Sequence, residues 1–303
     1  MTRRRARAGA PEGGLAIDKT AGLTSHDVVA VARRALGQPR IGHTGTLDPM
    51  ATGVLPLLLG RATRLARFLA SDRKSYEAAI RLGQATSTYD ADGTPVGAAA
   101  TSLPDRGAVE AALEHFRGHF DQVPPAVSAK KIGGHRAYAL ARAGAPVALP
   151  PVSVEVTRLE LVDLEDGLAI LHLDCSAGFY VRSLAHDLGT ALGVGAHLTA
   201  LRRTRSGGFS LTECISMPQL GEACEDAATH VIGMAALLPD MPAHPLSPAE
   251  ADDVMKGRPI VNVDVLASGS AVSRFARLLA PDGVLAAVAE ARGGVLHPLV
   301  VLL

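Results

Sequence analysis

One stretch constrains this chain more than any other. Gly42 to Arg61 (GHTGTLDPMATGVLPLLLGR) sets a single carboxylate, Asp48, among small, hydroxylated and apolar residues. The ring of Pro49 biases Asp48 towards extended backbone and argues against a helix there. Gly45 and Gly53 give permissive backbone on either side, where the chain can turn tightly or a second backbone can come close. The stretch reads as a stiff loop holding one acid in a fixed place. Such an acid either takes part in chemistry or opens an Asx-type turn, and the motif by itself favours the turn.

The chain of 303 residues is long enough for about two domains, and 48% hydrophobic residues can fill their cores. No run of about 18 apolar residues exists, so no membrane span is expected. The basic start MTRRRARAGAPEGG has no apolar segment behind it to act as a secretory signal, and the expected address is the cytoplasm. Cys175, Cys214 and Cys224 are an odd number without close spacing, which argues against a disulfide framework and a zinc site. The eleven histidines include no HExxH spacing. Gly42 to Thr46 lacks the Gly-Lys-Ser/Thr of a P-loop, and no Gly-x-Ser-x-Gly elbow occurs. These absences point to chemistry without metal or cofactor.

Net charge is zero but unevenly spread. Residues 31–74 carry eight Lys/Arg against Asp48 and Asp72, whereas residues 221–303 carry ten Asp/Glu against five Lys/Arg. The first half is therefore the half suited to a polyanion. The 25 arginines against 5 lysines fit forked phosphate contacts equally as well as they fit an Ala/Gly/Arg-rich composition.

In chain order, residues 1–12 read as a disordered basic tail. Gly14 to Lys19 is a short apolar strand, and Thr24 or Ser25 caps a helix that Gly37 stops. Arg61 to Ala70 reads as a short helix with Leu65, Phe68 and Leu69 inward and Arg64 and Arg67 free outward. Ser75 to Leu82 alternates as a strand, and Ala108 to Arg117 is helical. Residues 121–150 read as a loop segment whose Pro124-Pro125 and Gly133-Gly134 enclose Lys130 and Lys131. Val152 to Asp163 and Leu168 to Cys175 make a hairpin through Glu165-Asp166-Gly167. Leu198 to Phe209 adds Arg202, Arg203 and Arg205 without an acid. Strands and helices mix without a βαβ repeat, so the expected class is α+β with a mixed, largely antiparallel sheet flanked by helices. Pro239, Pro242, Pro245 and Pro248 mark an expected boundary, giving a larger domain over 13–240 and a compact, β-rich C-terminal domain over 241–303.

At this point several segments resemble one known family in order. GHTGTLDPMATGVLPLLLGRATR is similar to the signature of the bacterial tRNA pseudouridine synthase B (TruB) family. LAIDKTAGLTSHDVV, SYEAAIRLGQATSTYDADG, QVPPAVSAKKIGGHRAYALAR, CSAGFYVRSLAHDLG and GAHLTALRRTRSGGF resemble its other motifs, so the likeness spans about residues 14 to 210. The resemblance implies a pseudouridine synthase fold with a PUA-like C-terminal domain. It also implies a monomer that isomerises uridine-55 in the T-loop of tRNA to pseudouridine with no metal, cofactor or membrane.

By the same resemblance, Asp48 attacks C1′ or deprotonates C2′ of the target nucleotide. Tyr76 stacks on the uracil, and Arg182, on a strand, pairs with Asp48 and keeps it ionised. Tyr180, two residues before Arg182, faces the same side of that strand and closes the pocket. His43 fills the stack vacated by a flipped base. Leu201, Lys19, Lys130 and Arg202 are the further RNA contacts, the last three to phosphates; residues 121–150 correspond to the family's tRNA-contacting insertion, and Gly45 and Gly53 let RNA backbone come close. Two departures stand out: Thr20 replaces the usual proline after Lys19, and Ser176 to Tyr180 reads Ser-Ala-Gly-Phe-Tyr where the family has Ser-Lys-Gly-Thr-Tyr. The alternatives are an RNA-binding or tRNA-folding protein with little turnover and, with longer basic extensions than these, an RNA-guided synthase.

Overall fold

The structure is a computed structural model of the full chain, and it describes residues 9–69, 73–126, 131–132, 135–136, 149–222, 224–261 and 274–303. The first segment expected as a strand is β1 (Gly13–Lys19). It pairs antiparallel with β3 (Thr52–Leu59), and the helix between them, α1 (Ser25–Ala35), follows a capping box of Thr24 and Asp27. A short β2 (Ile41–His43) lies along the C-terminal half of β3. After a 3-10 turn come α2 (Ala66–Leu69), β4 (Lys74–Leu82) and α3 (Arg106–Leu113).

β5 (Gly118–Gln122), β6 (Val152–Glu165) and β7 (Leu168–Cys175) follow, then α4 (Val181–Ala191) and β8 (Ala196–Ser206). The path across the large sheet runs from the strand Cys214–Ser216 through β1, β3, β8, β4, β7 and β6 to β5. Only the pairs of β1 with Cys214–Ser216 and of β8 with β3 are parallel on that path. The expected α+β class with a mixed, largely antiparallel sheet is what the chain forms.

Strands β1 and β3 are apolar on both faces for a physical reason. Leu15, Ile17, Leu55, Leu57 and Leu59 pack into one core with Val28, Val29 and Ala32 of α1. Their alternate neighbours Ala16, Val54 and Leu58 pack into a second core, with Leu285, Val288, Val300 and Leu302 from the C-terminal segment. A strand covered on both sides has no solvent face to keep polar, so its sequence reads as a continuous apolar run.

The C-terminal segment is a five-stranded sheet, with Phe275–Leu279, Leu285–Arg292 and Val295–Val301 at its centre. It carries α5 (Pro248–Met255), capped by Ser247 with proline at its first turn. This β-rich body thus includes one helix. Arg61 and Arg64 tie it to the large sheet by donating to the carbonyls of Leu302 (2.5 Å) and Val301. Arg64 is thereby engaged, where an outward, free side chain was expected.

Two expectations need correction. The stretch 42–61 is not a loop throughout, since from Thr52 onward it is the buried strand β3. Pro56 is tolerated there because β3 changes partner at that point: Thr52 and Gly53 lie beside β8, and Leu57 to Leu59 beside β2. The missing N–H falls in the gap between two ladders. Secondly, Arg182 is not on a strand. β7 ends at Cys175, Gly178 turns the chain with φ of 87°, and Tyr180 is the residue before the first turn of α4. The two-residue spacing of Tyr180 and Arg182 therefore does not put them on one face.

Gly53 shows what the sheet demands of this sequence. Its φ is 99°, and a β-carbon on it would stand 2.1 Å from the carbonyl oxygen of Arg203 and 2.8 Å from its nitrogen. The close approach expected at Gly53 is thus made by the chain's own β8, not by an RNA backbone. Gly53→Ala combines a disfavoured φ with a backbone clash, and a loss of about 3 kcal/mol or more is expected. Urea unfolding of the two proteins, read from midpoint and slope, checks it.

No helix among the described residues is long and apolar enough to cross a membrane.

Candidate active site

The Asp48 loop is held from three sides before any catalytic role is considered. Asp48, Pro49, Met50 and Ala51 form a turn closed by the Ala51 amide on the Asp48 carbonyl at 3.1 Å, with proline at the second position, where its fixed φ suits the turn. Ser25, the first residue of α1, accepts from the Leu47 amide at 2.9 Å and donates to the Leu47 carbonyl at 3.2 Å. Lys19 is fully buried, and its ammonium donates to the carbonyls of Thr20 (3.0 Å), Leu23 (2.7 Å) and Pro49 (3.2 Å). A lysine expected to reach phosphate thus locks the Asp48 turn to the end of β1. Burial lowers its pKa to about 8, with the charge of Asp48 opposing the shift.

Arg182 enters this loop from the second position of α4. Its Nε donates to Asp48 Oδ2 at 2.8 Å and its Nη2 to Asp48 Oδ1 at 3.1 Å, a forked pair in which one guanidinium fixes both carboxylate oxygens. Nη1 faces away, donating to the Thr88 carbonyl at 3.2 Å and lying 3.5 Å from Asp90 Oδ2. The arginine side chain is 6% exposed, Asp90 9% and Asp48 33%. Arg182 and Asp90 are sealed, then, while Asp48 presents one face to solvent. The register of α4 is set by Gln122 on β5, which donates to the Tyr180 carbonyl at 3.1 Å and accepts from its amide at 2.8 Å.

Around Asp48 lies a cleft of about 260 Å³. Tyr76 and Lys74 on β4, Leu201 and Arg203 on β8, Tyr180, Arg182 and the 44–48 loop all line it. The period-2 geometry of two neighbouring strands makes this wall: Lys74 and Tyr76 share a face of β4, as do Leu201 and Arg203 on β8, and Tyr76 stands directly opposite Arg203. Tyr76 is 8% exposed and burial raises its phenol pKa, with the Arg203 charge pulling the other way. Its ring remains a neutral, flat surface at ordinary pH.

Asp48, Tyr76, Arg182, Tyr180 and Leu201 therefore meet in one cleft. The others do not join them. His43 sits on β2 outside the cleft lining, edge-on to His26 with ring centroids 5.6 Å apart, and its Nδ1 is buried without a hydrogen-bond partner among the described residues. Arg202 pairs with Asp18 at 2.8 Å, also away from the lining. Lys130 lies outside the described residues. Three residues in or behind the site were not singled out from the sequence: Lys74, Arg203 and Asp90. The first two had a legible signal, since each lies two positions from a chosen residue on a strand. Asp90 had none, because its place depends on a loop fold.

Burial, then the neighbouring His26, lowers the pKa of His43 below a histidine's ordinary 6.5. The unfolded chain then takes up a proton near 6.5 that the folded chain resists, so stability falls as pH drops through that value. Urea midpoints at pH 7.5 and pH 5.5 should differ less in His43→Gln than in the parent protein.

Comparison with known proteins places the chain in one family. Residues 33–181 match the TruB family pseudouridylate synthase (N terminal domain), and residues 182–241 match the tRNA pseudouridylate synthase B C-terminal domain. The chain is 44% identical over 297 residues to a protein of Solibacter usitatus (strain Ellin6076) named tRNA pseudouridine synthase B, with 96% of this chain and 100% of that one covered. A protein of the same name from Thermobifida fusca (strain YX) is 45% identical over 299 residues, covering 96% and 98%.

Among solved structures, an H/ACA RNP bound to a substrate RNA containing 2'-deoxyuridine superposes with TM-score 0.73 at 22% identity, covering 98% of this chain and 86% of that one. A chain of an archaeal box H/ACA sRNP complex gives 0.72 at 23%, covering 99% and 89%. At such identity the last two show a shared fold.

Proposed function

The chain belongs to the TruB family of pseudouridylate synthases, and from that membership we propose that it converts uridine-55 in the T-loop of tRNA to pseudouridine. The observation that carries the reading is the forked Arg182–Asp48 pair at the floor of a cleft walled by Tyr76. The reaction breaks the bond between C1′ and uracil N1, turns the base, and joins C1′ to C5. A carboxylate held by a forked guanidinium, with one face open, is equipped either to attack C1′ or to take the C2′ proton. Arg182 fixes its direction, so the attacking lone pair is aimed before substrate arrives.

Tyr76 and Leu201 offer flat and apolar contacts to a base lying between them, and Tyr180 closes the mouth. A base inside a folded T-loop must be turned out to reach Asp48, and His43 is the candidate to fill the gap left behind. Because β2, which carries His43, runs straight into the loop of Asp48, wedge and acid are separated by only four residues of chain. We further assign residues 13–240 to the catalytic domain, with the insertion about 121–150 as a tRNA contact, and 241–303 to a PUA-like domain. The tail 1–12 and Lys130 offer loose phosphate contacts. The protein works as a cytoplasmic monomer.

Asp48→Asn keeps the shape of the acid and removes its charge. Tritium release from a T-stem-loop transcript labelled at uracil C5 should fall about a thousandfold or more, while the transcript stays bound. Turnover by both proteins would remove Asp48 from the mechanism. Turnover by neither, with binding intact, would select an RNA-folding protein. Arg182→Lys, which keeps a positive charge but loses the fork, should also lower kcat, by about a hundredfold, with little change in KM.

A further inference from the structure

The positive charge of the cleft does not end with Arg182. Arg182 is matched by Asp48 and Asp90, and Arg203 faces the same space, with Lys74 lining it too. Arg203 is 0% exposed, and no carboxylate lies within ion-pair distance of it among the described residues. Its Nε donates to the Val54 carbonyl at 2.7 Å and its Nη2 to the Gly45 carbonyl at 3.2 Å, both neutral acceptors. The two cations also converge: a β-carbon on Gly45 would lie 3.5 Å from Arg203 Nη1 and 3.6 Å from Lys74 Cε. A buried guanidinium with only neutral acceptors is costly to the folded state, which makes it a candidate for charge that appears during reaction.

We propose that Arg203 and Lys74 stabilise the uracil as it leaves the ribose as an anion. This rests on the function proposed above. When the C1′–N1 bond breaks, its electron pair departs with the base and spreads over N1, O2 and O4. The electron-poor C1′ is met by Asp48, or relieved by loss of the C2′ proton to it. The base then gives an electron pair from C5 to C1′ as the Asp48 oxygen leaves C1′, or as the proton held by Asp48 returns to C2′; C5 loses its proton to solvent and N1 takes one, so that no net charge is gained. Between the two bond changes a negative base lies against Tyr76, and Arg203 stands directly across the sheet from Tyr76 with Lys74 two residues away on the same face. Cations fixed in a dry wall act on that charge without reorganising. Asp48 alone would oppose it.

The test compares leaving groups. Fluorine at C5 withdraws electrons and makes the base a better anion, so it replaces part of what the cations supply. Loss of the N-glycosidic bond is followed in single turnovers on T-stem-loop transcripts carrying uridine or 5-fluorouridine at the target, for the parent protein, Arg203→Gln and Lys74→Gln. The fluoro-to-plain rate ratio should rise about fivefold or more in each variant, with transcript affinity nearly unchanged.

A ratio equal to the parent's in a folded variant overturns the proposal. So does a weakened affinity whose salt slope drops by about 0.7–0.9 per variant, which would make these residues phosphate contacts. Lys74→Gln keeps the test decisive should Arg203→Gln fail to fold, since Lys74 is not wholly enclosed. Absence of any turnover by the parent protein would instead count against the function itself.

Discussion

The forked contact between Arg182 and Asp48 is the interaction on which the site depends, because it joins the two halves of the sheet architecture at one point. Asp48 belongs to the turn before β3, Arg182 to the helix after β7, and 134 residues of chain separate them. An ion pair so far enclosed is expensive in desolvation, and only good geometry and further hydrogen bonds make it tolerable. Both conditions hold: the fork is complete, and Nη1 has the Thr88 carbonyl and Asp90 to itself. Each partner is in turn immobilised by groups that touch no substrate. Ser25 and Lys19 fix the turn, and Gln122 fixes the start of α4. The acid is thus held from its own loop outward, its direction fixed before anything enters the cleft.

Much of this was legible in the sequence, and the reasons differ from residue to residue. Asp48 could be found because Pro49 and the flanking glycines give a loop its stiffness in a way local rules describe. Tyr76 and Leu201 lie on strands whose alternation is plain, and the resemblance of several ordered motifs chose them from the many residues that alternate. Arg182 was identified correctly as the partner of Asp48 but assigned to a strand. The run VRSLAHDLG begins its helix without a side-chain cap, Tyr180 taking the position where serine or aspartate would announce one. The cap's work is done from a distance by Gln122, and no local pattern can show that.

Lys19 and Gly53 failed for the opposite reason. Each has a plausible external partner when read locally, a phosphate for the lysine and an RNA backbone for the glycine. Tertiary structure supplies an internal one first: three carbonyls around the ammonium, and the backbone of Arg203 against the missing β-carbon. A cation or a glycine in a sequence says that something must come close; it does not say whether that something is foreign. Burial decides it, and burial at both positions follows from β1 and β3 being covered on two faces.

That double covering carries a consequence for how the cleft keeps its shape. Had the C-terminal sheet not packed on Ala16, Val54 and Leu58, one face of β1 and β3 would be open to water and free to shift in register. Thr52 and Gly53 would then lose their fixed alignment with Arg202 and Arg203. Because Arg203 crosses to Val54 and Gly45, a slip of one residue there would pull a buried cation away from Tyr76 and leave it without acceptors. The C-terminal body therefore bears on the shape of the cleft without lining it. It packs on the two strands that deliver Asp48 and seat Arg203, and so its apolar face helps to fix where the acid and the cation stand.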